Sequence, residues 1–191
     1  MMRQTITGWL TLLGVVLCFG MAHSQTTIHP DSAAAGEWLA TLIGEWEGTA
    51  TAYFPRDTGR SPRVERVTAS CEWALGKAYV ECRSVWTTDE GSVRRLITYF
   101  NYNHRSGEFD ILFLYDNWPG KVNYPLAFDP EQRTISGRDT FTGPGGVDAE
   151  ERVSWRIADD GNTISGLEHN HFASDSDGYW PKTFEFEWRR K

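Results

Sequence analysis

Apolar and polar residues alternate with a period of two through most of the chain beyond residue 43. The alternation is clearest in residues 153–157 and 184–189, where every second side chain is apolar and those between are charged or polar. This period is typical of a β-strand with one buried and one solvated face. Strand follows strand across short turns with no helical pattern between them, which predicts an antiparallel all-β fold.

Ten strands are predicted, with bounds set by Gly, Pro, Asn and Asp at the turns. They cover residues 44–54, 64–75, 78–86, 93–102, 109–115, 121–128, 133–141, 149–157, 163–172 and 183–190. Ten sequential antiparallel strands avoid exposed sheet edges most simply by closing into a barrel. A two-sheet sandwich is the alternative.

One short helix is predicted ahead of the strands, over residues 32–43. Asp31 precedes it as a candidate N-cap. Helical spacing gives one apolar stripe, which indicates an amphipathic helix and consists of Trp38, Leu39, Leu42 and Ile43.

The first 24 residues have the features of a secretory signal peptide. Arg3 is the only charged residue among the first 30, and it precedes an apolar run over residues 8–22. The run ends in Ala22-His23-Ser24, with small residues at the −3 and −1 positions of a cleavage site. An uncleaved anchor is the alternative, but about 15 apolar residues fall short of the roughly 20 that span a bilayer. We therefore expect a secreted or periplasmic domain of residues 25–191 with no stable membrane insertion.

Signal cleavage leaves two of the three cysteines, Cys71 and Cys82, which is an even count in an oxidising compartment. Their two strands flank Gly76-Lys77, a dipeptide suited to a two-residue type II′ hairpin turn. In that register the cysteines face each other, at a Cα separation of about 5.5 Å if the pair is hydrogen-bonded, which is within the range of a disulfide. We predict a disulfide between them, and two unpaired core cysteines are the alternative.

Charge and motifs exclude several functions. The formal net charge is −7 at pH 7, and no block of five or more Lys or Arg occurs. The basic surface that binds a phosphate backbone is therefore missing, and no nucleic-acid partner is predicted. The motifs G-x-S-x-G, H-E-x-x-H and G-x-x-x-x-G-K-[ST] are also absent, so no cofactor is predicted.

Four short motifs occur in order between residue 38 and the end of the sequence. They are Gly44-Glu45-Trp46-Glu47-Gly48, the hairpin Trp73-Ala74-Leu75-Gly76-Lys77-Ala78-Tyr79-Val80, Tyr99-Phe100-Asn101-Tyr102 before a Ser-Gly turn, and Trp188-Arg189-Arg190-Lys191. With these motifs the chain resembles the uncharacterised DUF1579 family of lipocalin-like (calycin) domains. It departs from that family in two places: Lys77 replaces the second glycine of the hairpin, and residues 112–147 match only in strand rhythm.

The resemblance implies a lipocalin-like barrel with a specific structural pair. In such barrels the G-x-W tryptophan plugs the closed end, and a cationic side chain near the end of the last strand lies across its ring. Trp46 and Arg190 match these positions. Arg190 is chosen over Arg189 because it is in phase with the inward-facing apolar residues of its strand.

Glu168 and two histidines are the chemically suggestive residues of the ninth predicted strand. His169 and His171 share one face, as two metal ligands would, but no third ligand can be identified, and no metal is predicted. Glu168 lies on the opposite face. If that face lines a cavity, burial raises the pKa of Glu168 and makes it a candidate acid or base. The alternative is a carboxylate paired with Arg138 or Arg156.

We predict an exported barrel that binds a small apolar molecule, because a barrel of this size leaves room for one small ligand. Trp73, Trp155 and Phe186 lie on the apolar strand faces and are the predicted ligand contacts. One alternative is an enzyme that uses the same cavity, with Glu168, Arg138 or the histidine pair as its chemistry. Another is a structural or partner-binding barrel filled by its own side chains. The oligomeric state is left open.

Overall fold

The computed structural model of the chain describes residues 29–117, 121–142 and 148–191. The predicted signal peptide lies outside the described residues. Helix α1 spans Ser32–Leu42, and the strands are β1 (Gly44–Ala52), β2 (Arg63–Ala74), β3 (Tyr79–Thr88), β4 (Val93–Asn103), β5 (Glu108–Tyr115), β6 (Lys121–Asp129), β7 (Thr134–Thr142), β8 (Asp148–Ile157), β9 (Thr163–Phe172) and β10 (Lys182–Arg190). The ten predicted strands are confirmed, with bounds that differ from the expected ones by at most two residues.

The sheet closes on itself. Each strand pairs antiparallel with its neighbours along the chain, and β1 pairs with β10 to complete a ten-stranded barrel. The closing pair runs from Trp46 opposite Arg190 to Ala52 opposite Phe184. The barrel prediction is therefore confirmed and the sandwich is wrong, because closure satisfies the strand edges that a sandwich would leave unpaired.

Helix α1 covers one end of the barrel. The Trp38 ring packs edge-on against Phe109 with centroids 5.0 Å apart, and its Nε1 donates to the Arg133 carbonyl at 3.0 Å. Directly below, the fully buried Trp46 donates from Nε1 to the Leu42 carbonyl at 2.7 Å. Asp31 is the N-cap residue, as predicted, although its side chain makes no capping hydrogen bond.

The barrel interior has two halves of different character. The half beneath α1, which we call the helix half, is filled by large buried side chains: Trp38, Leu42, Trp46, Phe100, Phe109, Ile135, Ile157 and Ile164. We call the opposite half, toward Arg94, Tyr115 and Ala149, the far half. Because the helix half is solid, any internal site has to lie in the far half.

Arg190 fastens the end of α1 to the barrel. Its guanidinium lies 4.4 Å from the centroid of the Trp46 ring, in the arrangement that the resemblance implied. It also donates to the Ile43 and Thr41 carbonyls, each at 2.6 Å. These carbonyls belong to the C-terminal end of the helix, where a cation interacts favourably with the helix dipole.

The β2–β3 hairpin carries the disulfide. Cys71 pairs directly with Cys82 in the ladder, and their sulfur atoms are bonded. The turn between the strands differs from the prediction. Gly76 and Lys77 have φ of +68° and +70°, and two positive φ values indicate a type I′ turn rather than type II′. Both types match the right-handed twist of the strands, but only type I′ places Lys77 in the left-handed region.

Candidate functional site

The far half contains a partly open cavity of about 100 Å³. Its walls are mainly aromatic, with a few polar groups among them. The lining residues are Trp86, Arg94, Leu96, Thr98, Phe113, Tyr115, Trp155, Glu168, Phe184, Phe186 and Trp188. A wider groove of about 660 Å³ crosses the outer faces of β1, β10, β9 and β8, but it lies on the solvent side among Thr, Ser and surface charges. The interior cavity is therefore the candidate site.

The aromatic walls form one continuous cluster. The Trp155 ring packs edge-on against Phe186 at 4.6 Å, and Phe186 contacts Trp188 at 5.0 Å. Gly166 makes this packing possible, because a Cβ at that position would lie 1.9 Å from the Phe186 ring. The Trp188 indole N–H is buried and has no acceptor among the described residues. The wall thus contains one hydrogen-bond donor without a protein partner.

Arg94 enters the cavity from β4 and is held in place by Glu65 of β2. Its Nε and Nη2 donate to one carboxylate oxygen of Glu65 at 3.0 and 2.6 Å. Arg63 contacts the other oxygen at 3.0 Å. The Arg94 guanidinium also lies 4.5 Å from the centroid of the Trp86 ring. The charge of Arg94 is therefore paired within the protein.

Two carboxyl groups meet beside the cavity. The register opposes Val153 to Glu168, which makes Glu151 and Glu168 diagonal neighbours on the inner face of β8 and β9. The two carboxyl groups are close enough for each to shift the pKa of the other. The Tyr124 hydroxyl also donates to Glu151. Asn170 donates from its amide nitrogen to Glu151 at 3.2 Å, in the amide orientation that suits its surroundings.

The surroundings of the two carboxyl groups shift their pKa values in different ways. Burial raises the pKa of Glu168 well above its usual value, the neighbouring Glu151 raises it further, and Arg94 opposes the shift. Burial raises the pKa of Glu151 as well, but hydrogen bonds from Tyr124 and Glu168 act in the opposite direction. Glu168 is therefore the carboxyl group that keeps a proton more readily, and Glu151, with its hydrogen-bond donors, is the one that ionises more readily. We call them the carboxyl pair.

Two tyrosines complete this polar region. Burial is the largest cause that raises the pKa of Tyr124, and the nearby carboxyl groups raise it further. Burial is also the largest cause that raises the pKa of Tyr115, and Glu168 adds to that shift. Both hydroxyls therefore keep their protons at neutral pH, and Tyr124 acts as a donor to Glu151. Glu168 is half-buried, because its side chain borders the cavity.

Comparison with known protein families shows which family the chain belongs to. The family model of DUF1579, a protein of unknown function, matches residues 32–190. The chain belongs to the DUF1579 family. No curated protein matches it.

Among solved structures, the chain is similar to a protein of unknown function from the DUF3598 family of Nostoc punctiforme PCC 73102. The two share 13% sequence identity with a TM-score of 0.39, over 80% of this chain. The alignment spans 49% of the Nostoc protein, so this chain corresponds to about half of its length.

The predicted site residues of this DUF1579 member fall into two groups. Glu168, Trp155 and Phe186 all line the cavity. Trp73 faces the same interior, but it is half-buried on the core near the disulfide and is not among the residues that line the cavity. Its strand runs toward the helix half at that point, so its inward direction does not bring it to the cavity.

Arg138 is not part of the site. It lies on the outer face of β7, where its Nη1 is 3.4 Å from Glu150. Arg156 is also exposed. The expected pairing of Glu168 with either arginine is wrong, because both arginines have outward parity in their strands and Glu168 faces the interior.

The two histidines lie on the outer side of β9. The Nδ1 atoms of His169 and His171 contact the carbonyls of Trp180 and Tyr179, each at 3.0 Å. Within residues 29–117, 121–142 and 148–191, no group of three or more His, Cys, Asp or Glu could hold a metal. The histidines fasten the segment before β10 to the sheet.

Several polar residues of the site were not predicted, among them Glu151, Arg94 and Tyr124. A signal for the first two was present, because Glu151 is in phase with Val153 and the other inward residues of β8, and Arg94 is in phase with Leu96. Extending the period of two to the strand ends would have placed both side chains inside the barrel.

Proposed function

We propose that the protein binds a compact small molecule in the far half of its barrel. The observation that carries this proposal is a cavity with aromatic walls and only a few polar groups, among them Glu168 and the Trp188 indole N–H. Ligand sites combine a mostly apolar lining with a small number of polar groups that orient the ligand.

The volume limits the size of the ligand. A cavity of about 150 Å³ in another protein accommodates benzene. The cavity holds about 100 Å³ and is partly open, so only the part of a ligand held inside it has to be as small as benzene. Long-chain fatty acids do not fit within this volume, which narrows the small apolar molecule expected from the sequence.

Tryptophan emission and thermal unfolding test this proposal with benzene, phenol and tert-butanol as probes. Binding should change the emission saturably and raise the melting temperature. Trp155→Phe should weaken binding about fivefold, since its ring lines the cavity, whereas the control Trp73→Phe should leave binding unchanged. If no probe produces a saturable change or a thermal shift, the barrel is filled and the proposal is wrong.

We also propose that the protein is exported and that residues 1–24 are removed. The Cys71–Cys82 disulfide supports export, because disulfides persist in oxidising compartments. No helix among the described residues is long and apolar enough to cross a membrane. The intact mass of the protein recovered from its host tests the proposal, and a mass that includes residues 1–24 would contradict it.

The carboxyl pair favours a second candidate function, acid–base catalysis on the bound molecule. Enzymes use one protonated carboxyl beside an ionised one for proton transfer. Native mass spectrometry of protein purified from its host separates the candidates. A co-purifying compound that stays unchanged on incubation supports binding alone. A compound that is converted by the wild type but not by Glu168→Gln supports catalysis.

A further inference from the structure

We infer that the ligand of this cavity is an uncharged carbonyl compound whose oxygen accepts a hydrogen bond from the Trp188 indole N–H. The inference deepens the proposed function and rests on it. It commits to one polar group of the ligand and to the protein group that binds it, both of which the aromatic lining alone leaves undefined.

The first argument is the hydrogen bonding of the buried indoles. The N–H groups of Trp38 and Trp46 donate to backbone carbonyls at 3.0 and 2.7 Å. The N–H group of Trp86 donates to the Ser84 hydroxyl at 2.7 Å. Trp188 is buried like these three, but its N–H has no acceptor among the described residues. Because a buried donor without a partner is costly and uncommon, an acceptor on the ligand would satisfy an existing need.

The second argument is the position of this donor. Trp188 lines the cavity together with Trp155 and Phe186, whose ring centroids lie 5.8 and 5.0 Å from its own. A ligand whose apolar part packs against these rings therefore lies beside the Trp188 indole. Ligand pockets use a few polar groups in an apolar wall to orient the ligand. An indole N–H can only donate, so the ligand group that it orients is an acceptor.

The third argument is the charge of the lining. Among the described lining residues, Arg94 is cationic and Glu168 carries a carboxyl group. The Arg94 charge is paired with Glu65 through hydrogen bonds from Nε and Nη2. An anionic ligand would face Glu168, and a cationic ligand would face Arg94. An uncharged acceptor avoids both conflicts. A carbonyl oxygen is such an acceptor and, unlike a hydroxyl, brings no further donor to a wall that already contains Trp188 and Arg94.

The experiment compares cyclopentanone with methylenecyclopentane, which has the same shape but a methylene group in place of the carbonyl oxygen. Transfer from water favours the hydrocarbon at any apolar site, so each probe is compared with itself across variants of the exported protein, by calorimetry. Trp188→Phe keeps an aromatic ring in the wall and removes the N–H. It should lower the affinity for cyclopentanone, relative to that for methylenecyclopentane, about tenfold.

The matched control is Trp86→Phe, which makes the same substitution in the same cavity. The N–H of Trp86 already has an acceptor in Ser84, so its loss removes no donor that a ligand uses. Both probes should lose affinity by the same factor, and the ratio of their affinities should stay within about twofold of the wild type. A ratio that falls equally in both variants would show that the ring rather than the donor is responsible, and would overturn the inference.

Nuclear magnetic resonance of the wild type observes the proposed hydrogen bond directly. One indole N–H proton should move downfield when cyclopentanone binds and should not do so with methylenecyclopentane. The same resonance should be missing from the spectrum of Trp188→Phe. If the ketone binds and this proton does not move, the inference is wrong and the proposed function stands.

Isobutyrate, a compact anion, tests whether the ligand is uncharged. It should bind the wild type more weakly than cyclopentanone, and equal or tighter binding would overturn the inference. If methylenecyclopentane binds and cyclopentanone does not, the inference is wrong and the proposed function stands. If neither of these two probes binds, the proposed function fails as well.

Discussion

The carboxyl pair predicts an unusual pH dependence of stability, which Glu168→Gln should remove. Burial raises the pKa of Glu168 above the value of about 4.3 that it has in the unfolded chain. Between these two pKa values the native state holds a proton that the unfolded state has released. The contribution of Glu168 to stability is therefore fully present below about pH 4.3 and is lost as the pH rises toward the folded pKa.

The size of this effect on the free energy of unfolding is set by the titration of a single proton. Each pH unit in this window lowers the free energy of unfolding by up to about 1.4 kcal/mol. Above about pH 4.3 the wild type should therefore lose stability relative to Glu168→Gln. The glutamine amide can still donate to Glu151, so the variant keeps the hydrogen bond of the protonated acid. Glu151→Leu removes the acceptor of Tyr124 and should instead destabilise the protein by about 1–3 kcal/mol.

Urea unfolding at several pH values, followed by far-UV circular dichroism, measures these differences. Glu150→Gln is the control, because its exposed ion pair with Arg138 contributes little and its curve should run within about 0.5 kcal/mol of the wild type. A Glu168→Gln curve that runs parallel to the wild type between about pH 4.3 and 6 would refute the assignment of the proton to Glu168.

Three further predictions concern the closed end and the hairpin. Lys77→Gly should raise the free energy of unfolding by about 1 kcal/mol, because Lys77 has a φ of +70°; an unchanged urea midpoint would contradict this. Trp46→Ala should cost about 3–5 kcal/mol. A double-mutant cycle with Arg190→Ala should show coupling through their 4.4 Å contact, and additive costs would mean that the contact contributes nothing. Reduction of the Cys71–Cys82 disulfide should lower stability by roughly 3 kcal/mol, and equal thermal midpoints with and without reductant would exclude that stabilisation.

Part of the polar region of the site could have been predicted from the sequence. The register argument that paired Cys71 with Cys82 applies equally to the β8–β9 hairpin, where Ile157 opposes Ile164 and hence Val153 opposes Glu168. That register makes Glu151 and Glu168 diagonal neighbours. The alternation around Glu168 indicated its inward direction, but its partner was sought among arginines, because opposite charges are the commoner pairing.

Trp73 shows the limit of alternation as a guide. Its inward direction followed from its phase with Cys71, and the structure places both on the interior side. Alternation assigns a side chain to a face but does not say how far along the barrel axis it lies. That height depends on strand tilt and stagger, which are properties of the closed barrel. Trp73 therefore lies beside the disulfide while Trp155 lines the cavity.

Local signals in the sequence determined the ten strands, their inward faces and the Cys71–Cys82 pairing. These features depend on a period of two and on turn residues only a few positions apart. Only the tertiary structure decided the pairing of β1 with β10, the filled helix half and the meeting of Glu151 and Glu168 with Tyr124. Those contacts join residues far apart in the chain, and their distances are fixed by how the closed sheet tilts and packs around its own side chains.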